Sequence, residues 1–120
     1  MDVVVTVPKG EWANWLSEGD LAGEEWSGRE YGFYVVRHPL QVTLGDRIYV
    51  VAGGKLRGYS PLVRLDLADR FGGSPGSFAL VRRGDAVAVT IPLGVRGFQG
   101  YRYRWWRREV EVPFPEWEQL

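Results

Sequence analysis

From residue 32 to about residue 112 the chain is a succession of short β-branched and aromatic runs, each closed by glycine or proline. No other feature restricts the fold as much. Runs of this length are too short for long helices, and glycine and proline at their ends read as turns. GFYVVR (32–37) ends at His38-Pro39, and RIYVVA (47–52) follows the turn Leu44-Gly45-Asp46. Gly53-Gly54 is a hairpin signal leading into a longer strand from Lys55 to Asp66. Gly58 and Pro61 interrupt that strand, which predicts a bulge or kink. FALVRR (78–83) and DAVAVTI (85–91) are strands joined across Gly84, and the last long strand runs from 98 to about 112.

The first quarter reads differently. DVVVTV (2–7) is apolar at odd and even positions alike, so it predicts a central strand covered on both faces. Trp12, Trp15 and Leu16 are spaced i, i+3, i+4, which places them on one helical face, with Gly19 as the stop. Residues 20–30 are acidic, with Leu21 and Trp26 as the anchors of a second short helical turn. LADRF (67–71) is one more helical turn, and GGSPGS (72–77) is the one low-complexity loop. Together these elements predict a single domain over residues 1–120, mostly β with a few helices. The expected architecture is a small mixed or antiparallel β-barrel with one or two N-terminal helices packed on it. An α+β sandwich is the alternative. Closure is favoured because glycine and proline break the long strands, as barrel corners require.

Composition removes several classes of function. Zero cysteines exclude disulfides, thiolate metal sites and a thiol nucleophile. One histidine, His38, excludes multi-histidine metal sites, and its place before Pro39 makes it a strand-end residue rather than a base. No metal and no cofactor is expected. GGSPGS and AGGKLRG lack the phosphate-loop spacing, and neither a dinucleotide fingerprint nor a G-x-S-x-G elbow is present. No apolar run reaches the roughly 18 residues of a membrane span. MDVVVTVPKGEW lacks the basic start and cleavage site of a signal peptide, so a cytoplasmic protein is expected. Thirteen arginines against two lysines hint at a thermophile or a GC-rich genome. A monomer and a dimer both stay open.

The formal charge is zero, but its distribution is uneven. Residues 11–30 carry six acids against Arg29, whereas residues 96–108 carry five arginines and no acid. Either the basic end faces a polyanion, or the two ends pair within the fold. At its centre lies GYRYRWWRR (100–108). Alternation places Tyr101, Tyr103 and Trp105 on one face and Arg102 and Arg104 on the other. After Trp106 the phase reverses, with Val110, Val112 and Phe114 taking the apolar positions. One strand cannot keep one buried face through that switch, so a bulge or corner is expected at Trp105-Trp106. Tyr101, Tyr103 and Trp105 are then core, and Trp106 has no partner in the pattern. Arg102, Arg104, Arg107 and Arg108 form an outer row suited to phosphate contacts, with Trp106 available for base stacking.

The order strand, helix, helical turn and run of strands resembles the PUA-like fold group, which includes the PUA, ASCH and EVE domains. LGDRIYVVAGGKLRGYSPLVRLD (44–66) looks like the recurrent element of that group, and W-x-x-W-L (12–16) looks like the helix packed over its barrel. The resemblance implies binding of RNA, or of a modified or flipped base, in a cleft beside the barrel. It also implies an aromatic cage, for which Trp26, Trp105 and Trp106 match by residue type. Some ASCH relatives are small amidohydrolases on modified cytidine that use a helix lysine. Lys9 is the only lysine near that helix, and its surroundings depart from that pattern. The expected function is therefore RNA or nucleic-acid binding through Arg102, Arg104, Arg107, Arg108, Trp106 and Trp26. A nucleoside-directed amidohydrolase is one alternative. The other is a protein-interaction domain using residues 11–30 or the tail EVEVPFPEWEQL, which either caps the fold or docks elsewhere.

Overall fold

A computed structural model describes residues 1–18, 28–35, 41–84 and 86–120. Strand β1 (Val3–Thr6) lies inside the sheet, as its uninterrupted apolar run predicts. Val3, Val4 and Val5 are fully buried, each contributing about 1.5–3 kcal/mol relative to exposure. β1 pairs in parallel with β3 (Arg47–Ala52) and antiparallel with β7 (Tyr101–Tyr103). With β2 (Glu30–Val35), β4 (Lys55–Leu67) and β5 (Phe78–Arg83) these form one six-stranded mixed sheet, in the order β2-β5-β4-β3-β1-β7. A separate ribbon joins β6 (Val89–Thr90) to β8 (Val112–Pro113).

Core lies on both faces of the sheet. On one, Val3, Val5, Ile48 and Val50 pack with Trp12 and Trp15 of helix α1 (Trp12–Ser17), the aromatic face expected from their spacing. On the other, Val4, Tyr49, Val51 and Leu56 pack with Ile91 and Val95. This double cover explains why DVVVTV and RIYVVA show no polar alternation.

Gly53 and Gly54 both adopt positive φ, 59° and 75°, which makes the β3–β4 turn one that favours glycine at both central positions. The ladders of β4 shift register twice, once against β3 between Val50 and Val51 and once against β5 between Leu62 and Arg64. The expected interruption of this strand is therefore present. Gly58 is required there for a further reason: a Cβ would sit 2.5 Å from the Val87 carbonyl oxygen, where Val87 bridges Tyr59.

The sheet does not close into the expected barrel. Its end strands are β2 and β7, and no ladder joins them among the described residues. The strands needed for closure are too short. Among its described residues DAVAVTI contributes only the Val87 bridge and the two residues of β6, and the expected strand from 98 to 112 breaks into β7, one 3-10 turn (Arg108–Val110) and β8. LADRF is a 3-10 turn over Ala68–Phe71, as expected. The expected helical turn around Leu21 and Trp26, the Gly19 stop and His38-Pro39 lie outside the described residues. Among the described residues no helix is long and apolar enough to cross a membrane.

The tail folds back as a cap. Phe114 is buried, and Trp117 meets Trp12 edge-on at 6.4 Å. The Trp12 indole donates to the Glu118 carbonyl at 2.9 Å. Arg57, buried between Trp12 and Phe114, donates to the carbonyls of Ala52, Trp117 and Gln119. Its burial lowers the guanidinium pKa.

Candidate nucleic-acid interface

The β1–β3 and β1–β7 registers place Arg102, Val4 and Tyr49 side by side across three strands. One residue pair further, the Arg104 N–H donates to the Asp2 carbonyl at 3.0 Å, which brings Arg104 alongside Asp2 where the sheet ends. The Asp2 side chain is only 2% exposed. It accepts from the Arg47 N–H at 2.9 Å, from Arg104 Nε at 2.9 Å, and from Arg108 Nε and Nη2 at 2.9–3.1 Å. Burial alone would raise the Asp2 pKa. The hydrogen bonds from Arg47, Arg108 and Arg104 outweigh it and hold the carboxyl below its ordinary value.

A second buried carboxylate lies close by. Glu111 accepts from the Tyr49 hydroxyl at 2.6 Å, from the Trp106 indole N–H at 2.8 Å and from Arg47 Nη1 at 3.3 Å. Arg47 also donates to the Tyr49 hydroxyl and lies 4.0 Å from the centre of the Tyr59 ring. Burial and the neighbouring Glu111 raise the Tyr49 pKa, so its hydroxyl remains a donor. Asp2 and Glu111 thus clamp the chain from Arg104 to Glu111 onto the sheet.

The clamp decides which aromatic rings are open. Trp105 was expected in the core and Trp106 outside, and the structure reverses the two. Trp105 is 51% exposed, whereas Trp106 is half-buried, edge-on to Tyr49 at 5.0 Å and tied to Glu111. The expected corner exists, but the chain leaves the sheet after Tyr103, before alternation would have turned Trp105 inward. Tyr101 is buried and Tyr103 half-buried, as alternation predicts. Val110 and Val112, expected in the core beyond the corner, are exposed because that segment forms a 3-10 turn and a two-residue ribbon.

Outside the clamp, Trp105 meets Phe98 and Trp106 edge-on at 6.3 and 5.0 Å. Arg102 is exposed and lies over the Phe98 ring at 4.4 Å. Arg107 is exposed and makes no ion pair among the described residues. Arg104, Arg107, Arg108 and Glu109 line an open cavity of about 300 Å³. The structure therefore brings Arg104, Arg107, Arg108 and Trp106 onto one segment, with Arg102 beside the neighbouring Phe98. Trp26 lies outside the described residues.

Sequence reasoning missed Asp2 and Glu111, and it placed Trp105 in the core although the resemblance named it among the cage candidates. Their only signal was two acids of otherwise unremarkable context and a phase switch whose position alternation places too late. The choice between internal pairing and a free basic face resolves both ways. Arg104 and Arg108 pair with Asp2, and among the described residues with no acid of 11–30, while Arg102 and Arg107 face solvent. Of the acids in 11–30, Glu18 pairs with Arg82 and Glu30 with Arg64.

A second cavity, of about 280 Å³, lies between α1 and β2 and is lined by Glu11, Trp15, Glu18, Phe33 and Tyr34 among others. Burial raises the Glu18 carboxyl above its ordinary value, despite the opposing pull of Arg82. Among the described residues no group of three or more potential ligands could hold a metal ion. No family model matches the chain, and neither a curated protein nor a solved structure matches it.

Proposed function

We propose that the protein is a PUA-like module that binds single-stranded RNA and stacks one unpaired base, flipped or modified, on Trp105. The observation that carries this reading is the exposed Trp105 ring, edge-on to the Phe98 ring that Arg102 covers and adjacent in the chain to the arginines that line the cavity, on a segment held by two buried carboxylates. An open ring presents a face to any base, and stacking on it contributes about 1–3 kcal/mol per base. Arg102 and Arg107, with the outer side of Arg108, meet phosphates. Arg104 and Trp106 act from behind, fixing the segment before any ligand arrives, which lowers the ordering entropy of binding. The PUA-like part of this reading rests on the sequence resemblance, whose order of strand, helix and run of strands recurs here on an open mixed sheet.

Fluorescence anisotropy with short single-stranded RNAs tests this. Affinity is expected to fall steeply with salt, and Trp105→Ala to weaken binding roughly tenfold or more. Binding that ignores salt, or that survives Arg102→Ala with Arg107→Ala unchanged, removes the reading.

A second reading is a small amidohydrolase acting on nucleoside-like substrates, and the α1–β2 cavity favours it. Glu18 lines that cavity with a raised carboxyl pKa, a property suited to proton transfer. A nucleoside panel that yields no turnover discards it, whereas turnover lost in Glu18→Gln supports it.

A further inference from the structure

Glu109 is out of place in a phosphate-binding surface. It lines the same cavity as Arg104, Arg107 and Arg108, yet it forms no ion pair within 4.0 Å among the described residues. The structure also fixes where it stands. Glu109 is the middle residue of the 3-10 turn Arg108–Val110, with the Val110 N–H bonded to the Arg107 carbonyl and the Glu111 N–H to the Arg108 carbonyl, both at 3.1 Å. The residue before it, Arg108, is tied to Asp2, and Glu111 two residues on is tied to Tyr49 and Trp106. An exposed carboxylate therefore lines the cavity on a turn anchored on both sides.

Beside a phosphate such a carboxylate repels the ligand unless it accepts a hydrogen bond from it. A carboxylate at neutral pH is acceptor-only. Within the sugar-phosphate backbone the only hydrogen-bond donor is the ribose 2′-hydroxyl, which DNA lacks. We infer that Glu109 accepts the 2′-hydroxyl of a nucleotide whose phosphate lies against Arg107 and Arg108, and thereby selects RNA over DNA. The selection has two parts. RNA gains a charge-assisted hydrogen bond, while DNA leaves the carboxylate unsatisfied beside its phosphates, so discrimination works against the wrong ligand as well as for the right one.

This inference rests on the single-stranded RNA reading, and the experiment separates the two. Fluorescein-labelled single strands of one sequence are compared as RNA, DNA and 2′-O-methyl RNA against the full chain and Glu109→Ala. RNA is expected to bind about tenfold or more tightly than DNA, the size of one hydrogen bond to a charged group. The 2′-O-methyl strand should behave like DNA. Glu109→Ala should lower the RNA affinity and raise the DNA affinity until the two nearly meet. Single 2′-deoxy substitutions along the RNA should reproduce the loss at one position. Equal binding of RNA and DNA by the unaltered chain overturns the role of Glu109 and leaves a single-strand binder. The same holds for a preference that follows base sequence equally in both backbones, because Glu109 would then be reading a base. Failure to bind any of the three strands overturns the RNA reading and this inference together.

Discussion

Residues 100–108 contain two sets of side chains that composition cannot tell apart. Arg104, Trp106 and Arg108 turn toward the fold and meet Asp2 or Glu111. Arg102, Trp105 and Arg107 carry the same chemistry and remain at the surface. The difference lies in their neighbours. A guanidinium or indole becomes structural where a buried carboxylate is within hydrogen-bonding reach, and stays available where none is. Arg108 belongs to both sets, bonded to Asp2 through Nε and Nη2 while its outer edge stays exposed; Arg102, Trp105 and Arg107 can change without loss of the clamp, and this separation is open to test.

The largest effect is expected at the centre of the clamp. Asp2→Asn removes the charge that two guanidiniums share in a nearly buried position, and breaking such an arrangement costs about 3 kcal/mol. A urea titration should show that loss. A loss below about 1 kcal/mol would mean that solvent screens Arg104 and Arg108 well enough to manage without Asp2. The same carboxylate governs behaviour in acid. Its folded pKa lies below the ordinary 3.8, so the stability it contributes is complete above that value and is lost as pH falls through the lower folded value. The pH dependence of unfolding below pH 4 should flatten in Asp2→Asn.

Next in size is the contrast between the adjacent tryptophans. Trp106→Phe leaves Glu111 one donor short and should destabilise by about 1–2 kcal/mol. Trp105→Phe should alter stability by less than about 0.5 kcal/mol, as expected at an exposed position, and change RNA affinity instead. If the two variants unfolded alike, the division of the segment would fail. The smallest effect belongs to Arg107→Ala. Stability should be unchanged, RNA binding slightly weaker, and the slope of log affinity against log salt lower by about one. A stability loss there would place Arg107 with the structural set.

Much of the fold was legible because it is written in local patterns. The apolar run of β1 shows its central place, the spacing of Trp12 and Trp15 shows the buried helical face, and Gly53-Gly54 shows the hairpin. Closure was not legible. Whether a strand continues or frays into single bridges depends on the partner across the ladder, and the described residues of DAVAVTI pair only with Tyr59 and β8. The candidate segment was legible in composition, but the arrangement of its side chains was not. The basic, aromatic segment was evident from composition, yet its open ring was assigned to Trp106 instead of Trp105, because alternation shows that a corner exists and not where a short strand ends.

By itself the sequence determined a mostly β chain, its central strand, its turns and the segment carrying its arginines and rings. All of these follow from preferences acting over a few residues. The tertiary structure alone decided which arginines and which tryptophan are free to act. Asp2 lies 102 positions from Arg104 and 106 from Arg108, and Glu111 meets Tyr49 across 62. Partners that far apart in the chain are set by strand register, and register is a property of the assembled sheet.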